Sequence, residues 1–254
     1  MRDAMEREAL FIKKMEETAD NAYQRGIVSF SDFLDLYERS ILQKIHWREH
    51  GVTLRLSGGY DAAERQMAAF LPDEVVYEWE YPFLCLKIKV SAPKYACALN
   101  HRDYLGAVLG LGIDRRVIGD ILIGDCEAYL FCREDMADFF MSELKCVGRT
   151  AVSVSICKNP QEIVKPAEEE ITGTVASVRL DAAIALAFRS SRSSLISLIE
   201  GGRVFVNGKL VTSNGYSLNS GDQISVRGMG KFRFGEVVSK TKKGRNLIRI
   251  YRYI

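Results

Sequence analysis

The stretch RSSRSSLISLIEGGRVFVNGK, residues 189–209, gathers residue types that hold a polyanion. Ser190 or Ser191 can accept hydrogen bonds from the exposed amides of a first helical turn, and Arg192 sits where the helix dipole is positive. A cation there is mildly unfavourable until an anion arrives. Free amides, hydroxyls and arginines together make a phosphate site. Arg203 and Lys209 flank the strand VFVNGK, whose Asn-Gly step signals a tight hairpin. The competing reading is a small mixed domain with ordinary surface charges.

For these groups to share a surface, two helices and a small sheet must carry them. VRLDAAIALAF reads as one helix. SRSSLISLIE reads as a second, with Leu195, Ile196, Leu198 and Ile199 holding it on a core and Gly201 and Gly202 ending it. RVFVNGKLV, DQISVRG, KFRFGEVV and NLIRIYRYI read as strands. Charge agrees with this placement. Residues 174–254 hold 14 Lys and Arg against 4 Asp and Glu, whereas the first 173 residues hold 21 against 29. A basic segment on a mildly acidic body argues for a polyanion partner, with nucleic acid first.

Arg-Leu-Asp at 179–181, Ser-Arg at 191–192, Gly-Arg-Val-Phe-Val-Asn-Gly at 202–208, Gly-Asp at 221–222 and Ile-Ser-Val-Arg at 224–227 form a long pattern. It resembles the S-four domain, an RNA-binding module of a small-subunit ribosomal protein, tyrosyl-tRNA synthetases and pseudouridine synthases. The resemblance implies a helix pair and small sheet gripping structured RNA through backbone contacts. Carried over by position, it implies RNA contacts at Arg179, Arg189, Ser191, Arg192, Arg203, Asn207 and Lys209. Arg227, Lys231 and Arg233 extend the basic face, and Asp181 is a helix-start and ion-pairing residue rather than a catalytic one.

The rest of the chain reads as follows. Residues 1–72 form a mainly helical domain, with Phe11, Met15 and Ala19 on one helix face and a second helix opening at Ser31. GVTLRLSGGYDAAERQMAAFLP adds a strand, a Gly-Gly turn and a helix ending before Pro72. Residues 73–160 alternate as βαββαβ, the split pattern of ferredoxin-like and RNA-recognition-motif folds, with Asn100 capping the first helix. Residues 161–174 are a linker with a solvated acidic run, and residues 175–254 are the S-four-type domain. The fold class is α+β.

The segment LNHRDYLGAVLGLGIDRRVIGDILI contains His-Arg-Asp, yet a kinase loop needs Asn five residues after the Asp, where Val108 stands. Gly106, Gly110 and Gly112 are in the wrong order for a dinucleotide fingerprint. The His-Arg-Asp-Tyr-Leu-Gly start, the Gly-Ile-Asp-Arg turn, the Ile-Gly-Asp-Ile strand and the earlier GGYDAAERQMAAFLP together resemble the YlmH-type family of bacterial S-four proteins. That resemblance implies binding to the large ribosomal subunit and tRNA in ribosome-associated quality control, with a link to cell division. His101, Arg102, Arg115 and Arg116 of this segment are candidate secondary contacts for RNA or a partner.

No run of eighteen apolar residues is present and the N-terminal stretch is charged throughout, so a cytoplasmic monomer away from membranes is expected. The six cysteines form no CxxC pair and have no His at metal-ligand spacing, which reads as free structural thiols with no metal and no cofactor. The central strands offer only Tyr129 and Phe131 as alternating aromatics, short of the pattern that stacks single-stranded bases. Two alternatives to a non-enzymatic RNA-binding factor are an RNA-modifying enzyme targeted by the S-four domain and a cell-division scaffold. The first lacks a catalytic domain after the module; the second would use the acidic front half as its partner surface.

Overall fold

The computed structural model describes residues 2–91, 99–124, 126–158, 168–242 and 244–253, without the side chains of Arg2, Asp3, Ala4, Arg192, Ser193 and Ser194. It divides into two compact units, Met1–Lys165 and Pro166–Ile254.

The first unit opens with α1 (Arg2–Arg25), β1 (Ser29–Leu34), α2 (Leu36–Leu42), β2 (Val52–Ser57) and β3 (Gln66–Pro72). The strands make an antiparallel sheet in the order β1-β3-β2. Helix α1 lays Met15, Ala19 and Ala22 against Trp47 and Phe70. Two elements differ from what the sequence suggests. Ser31 lies within β1, where its Oγ accepts the Ala68 N–H at 2.9 Å, and α2 is instead started by a capping box between Asp35 and Glu38. The helix expected to end before Pro72 is strand β3. It is the central strand, with Met67 to Leu71 all buried, so both faces are apolar and period-two alternation is erased.

The unit continues through β4 (Phe83–Val90), α3 (His101–Leu109), β5 (Ile118–Ile123), β6 (Glu127–Arg133), α4 (Ala137–Glu143), β7 (Cys146–Val147) and β8 (Thr150–Ile156). The order β5-β6-β4-β8-β7, antiparallel throughout, is the expected βαββαβ arrangement with one short added edge strand. Asn100 caps α3 as its sequence suggests, in a box with Asp103. Leu86, Ile88 and Leu130 of the sheet pack with Tyr104, Val108 and Phe140 of the helices. An aromatic seam joins the two sheets: Phe33 and Phe83 centroids lie 5.4 Å apart, and Tyr60 and Phe131 lie 5.5 Å apart.

The second unit comprises β9 (Glu168–Val175), α5 (Leu180–Phe188), α6 (Arg192–Glu200), β10 (Val204–Val206), β11 (Lys209–Leu210), β12 (Gln223–Val226), β13 (Gly230–Lys240) and β14 (Asn246–Tyr253). They form one antiparallel sheet, β11-β10-β12-β13-β14-β9. Val204, Val206, Ile224, Val226, Phe232, Phe234, Ile248 and Ile250 face α5 and α6 in a single core. Residues 161–167 of the expected linker lie outside the described residues, while 168–174 belong to strand β9. Its acidic run is not simply solvated, because each glutamate meets an arginine: Glu168 with Arg233, Glu169 with Arg252, and Glu170 with Arg249. Charge compensation across the ladder lets a highly charged sequence pair as a strand.

Cys85, Cys126, Cys132, Cys146 and Cys157 are free thiols, and Cys97 lies outside the described residues. Burial pushes the Cys132 thiol up to about 12 and raises that of Cys85, which makes both unreactive. No group of three His, Cys, Asp or Glu among the described residues could hold a metal ion. No helix among them is long and apolar enough to cross a membrane.

Candidate nucleic-acid interface

Helix α5 buries Leu180, Ala182, Ala183, Ile184 and Ala187, while its cap residues Arg179 and Arg189 are exposed. Arg179 is its N-cap residue, and its Nε lies 3.4 Å from Asp181 Oδ1, so Asp181 is the ion-pairing helix-start residue its position suggested. Arg189 ends the helix in a left-handed conformation (φ 50°), and the Ser190 N–H donates to the Ala185 carbonyl at 3.2 Å. This turn leaves the Arg189 side chain 79% exposed, 3.9 Å from Glu169 at its nearest. Ser191 is exposed immediately before α6, and Arg192 begins that helix, its side chain outside the described residues. Leu195 and Ile199 anchor α6 to the core.

The Asn-Gly hairpin forms as expected. Asn207 and Gly208 both take positive φ, 48° and 74°, as a type I′ turn requires. The Asn207 side chain, however, is engaged internally: its Nδ2 donates to Asp222 Oδ1 at 2.8 Å and its Oδ1 accepts the Gln223 N–H at 2.9 Å. Buried Asp222 also accepts the Asn219 N–H at 2.8 Å. Asn207 therefore positions the hairpin, and Lys209 and Arg203 are exposed around it.

Strand alternation divides the remaining basic residues. Because Val204, Val226 and Phe232 face the helices, Phe205, Ser225 and Lys231 face the opposite side, in cross-strand register. On that open face Arg227 lies over the Phe205 ring, 4.9 Å from its centroid, and Arg233 over the Tyr251 ring at 4.3 Å. The expected single basic surface is thus two: a helix-turn surface with Arg179, Arg189 and Ser191, and an open sheet surface with Arg227, Lys231 and Arg233. Arg203 and Lys209 stand at the edge between them. Glu168, Glu170 and Glu236 compensate Arg233 and Arg249 at the β9 end. Among the described residues Arg203, Lys209 and Arg227 have no carboxylate partner, so net positive charge concentrates around β10.

The central segment is organised differently. Arg115 Nη1 donates to the Ile118 and Gly119 carbonyls at 3.1 and 3.0 Å, and burial lowers its guanidinium to about 10. Arg115 is therefore a structural residue, not an open contact. Arg116 embraces Asp114, with contacts of 2.6 and 3.0 Å to Oδ2, and holds that carboxyl down at about 2. His101 and Arg102 are exposed in the first turn of α3. Phe131 is buried and Lys87 Nζ lies over the Tyr129 ring, 5.6 Å from its centroid, so neither presents an open ring for base stacking. Sequence reasoning missed Arg65 and Asp120, which join the two sheets of the first unit. Its only signal was a carboxylate inside the apolar strand IGDILI.

Family models match at two places: the RNA-binding domain in YlmH at residues 80–162 and the S-four (S4) domain at residues 178–224. The ribosome-associated protein quality control protein P2 of Bacillus subtilis (strain 168) is 33% identical over 237 residues, 93% of this chain and 91% of that protein. A solved structure, the cell division protein ylmH from Streptococcus pneumoniae, superposes with a TM-score of 0.48 at 24% identity, over 64% of this chain and 94% of that one.

Proposed function

The chain belongs to the YlmH-type family of S4-domain proteins, and from that premise we propose that it is a non-enzymatic factor holding structured rRNA and tRNA on the large ribosomal subunit in ribosome-associated quality control. It acts as a cytoplasmic monomer. An RNA-binding role rests on its two RNA-binding domains. The name of the Bacillus subtilis relative supports the quality-control setting.

The single observation that carries the reading is that Arg203, Lys209 and Arg227 surround β10 with no carboxylate partner among the described residues, the Arg227 N–H donating to the Arg203 carbonyl at 2.9 Å and the Asn207 side chain fixing the hairpin. Cations on a rigid turn and edge strand recognise the spacing of phosphates, and so the shape of a folded RNA, without reading bases. Arg179, Arg189, Ser191 and Arg192 contribute from the helix pair, and Lys231 and Arg233 from the open sheet. No step of bond making is assigned to any of them.

Cosedimentation of the purified chain with large subunits over a salt series tests this. Arg203→Ala with Lys209→Ala should weaken binding about tenfold and reduce the salt slope by roughly two. Unchanged binding at near-physiological salt would reject the surface. Detectable modification of rRNA or tRNA by the purified chain would reject the non-enzymatic reading.

A further inference from the structure

Residues 73–83, DEVVYEWEYPF, run from the end of β3 into the first residue of β4 and contain Asp73, Glu74, Glu78 and Glu80 without a single Lys or Arg. None of these four carboxylates has a hydrogen bond or ion pair among the described residues. Aromatic rings run along the same segment, with centroids 5.2 Å apart for Trp79 and Tyr81 and 5.5 Å apart for Tyr81 and Phe83. Phe30 of β1 supports them, 5.9 Å from Trp79 and 5.7 Å from Tyr81. The Tyr77 hydroxyl accepts the Val28 N–H at 2.8 Å, which fastens the middle of the segment to the first sheet. The aromatics line a shallow groove of about 640 Å³ together with Arg55, Glu78 and Glu80. Beside it Val76 is 98% exposed and Tyr77 is 47% exposed.

Half-exposed aromatic rings held in fixed positions can stack on nucleobases or on guanidinium groups. The carboxylates decide between these. A phosphate backbone laid here would meet four like charges, whereas each arginine brought in would gain both a ring face and a carboxylate. Among the described residues Arg55 is the only cation lining the groove, and with Glu78 and Glu80 it leaves the balance negative. We propose that this ribbon is a docking surface for an extended, arginine-rich segment of a protein, separate from the RNA surface of the second unit. Arginine fits better than lysine because its planar group stacks and forks at once.

The test uses the full chain and a fluorescent peptide of about ten residues alternating Arg and Gly, with a Gln-Gly peptide and a single-stranded RNA of similar length as comparisons. The Arg peptide should bind saturably and change the emission of Trp79, Trp47 being buried. Glu78→Gln with Glu80→Gln, isosteric changes at exposed positions, should weaken it roughly fivefold, while Glu6→Gln with Glu17→Gln on α1 should not. Equal weakening by the α1 pair, equal binding of the Gln-Gly peptide, no binding of the Arg peptide, or a Trp79 response to the RNA instead would each overturn the proposal.

Discussion

The Arg65 guanidinium donates to the Ile118 carbonyl at 2.9 Å while the Arg65 backbone N–H donates to Asp120 Oδ1 at 3.1 Å. One residue immediately before β3 thus holds two alternate positions of β5. The Tyr60 hydroxyl and the Glu64 N–H complete the acceptor shell on Asp120 Oδ2 at 2.8 and 2.7 Å. Burial raises the Asp120 carboxyl, and these hydrogen bonds oppose that rise.

Asp120→Ala leaves the Glu64 and Arg65 amides and the Tyr60 hydroxyl without their acceptor, so it should destabilise the first unit by about 3 kcal/mol. Asp120→Asn retains one acceptor oxygen and should cost roughly half as much. Urea unfolding of the full chain, followed by the emission of the two tryptophans, which both lie in the first unit, checks the ranking.

Arg189 carries a positive φ that a β-carbon makes unfavourable, while its side chain faces solvent. Arg189→Gly should therefore raise the stability of the second unit by about 0.5–1 kcal/mol and weaken RNA binding about threefold. Arg189→Ala should weaken RNA binding equally without the gain in stability. Thermal melts paired with RNA titrations separate the two effects.

Asn207 satisfies buried Asp222 and supports a positive φ at the same time. Asn207→Ala should cost about 2 kcal/mol, and Asn207→Gly should cost less because it restores backbone freedom while still losing the amide. Hydrogen exchange at the Gln223 amide, which donates to Asn207 Oδ1, should accelerate in both variants.

Burial pushes the Tyr81 hydroxyl up to about 12 from the usual 10. The unfolded chain therefore gives up this proton first, and stability present below about pH 10 falls as the pH rises toward 12. Tyr81→Phe should remove that component and flatten the loss. Denaturant midpoints at about pH 9 and pH 11 for both proteins provide the measurement.

The second unit was the more legible of the two in the sequence. Its Asn-Gly hairpin and glycine-ended helix depend on local backbone chemistry, which one segment can express alone. Strand β3 was misread because its apolar run fits a helix or a doubly covered strand equally well, and only its neighbours β1 and β2 decide. Strand β9 was misread because its three glutamates look solvated until the arginines of β13 and β14 are placed beside them. Among the site residues the types were visible and the faces were not. Arg227 and Arg233 were expected beside Arg189, yet their side depends on the parity of β12 and β13 relative to the core.

The pairing of β9 with β14 fixes the order in which the second unit can assemble. Val175 pairs with Asn246 and Glu168 with Tyr253, so the opening strand waits about seventy residues of synthesis for its partner. Until β14 emerges, β9 has no strand to join, and Glu169 and Glu170 lack Arg252 and Arg249. The helix pair and the β10–β11 hairpin close from short separations and can form first. A nascent chain would thus present its turn-borne cations before its sheet is sealed, and the last strand completed sets the final stability of the unit.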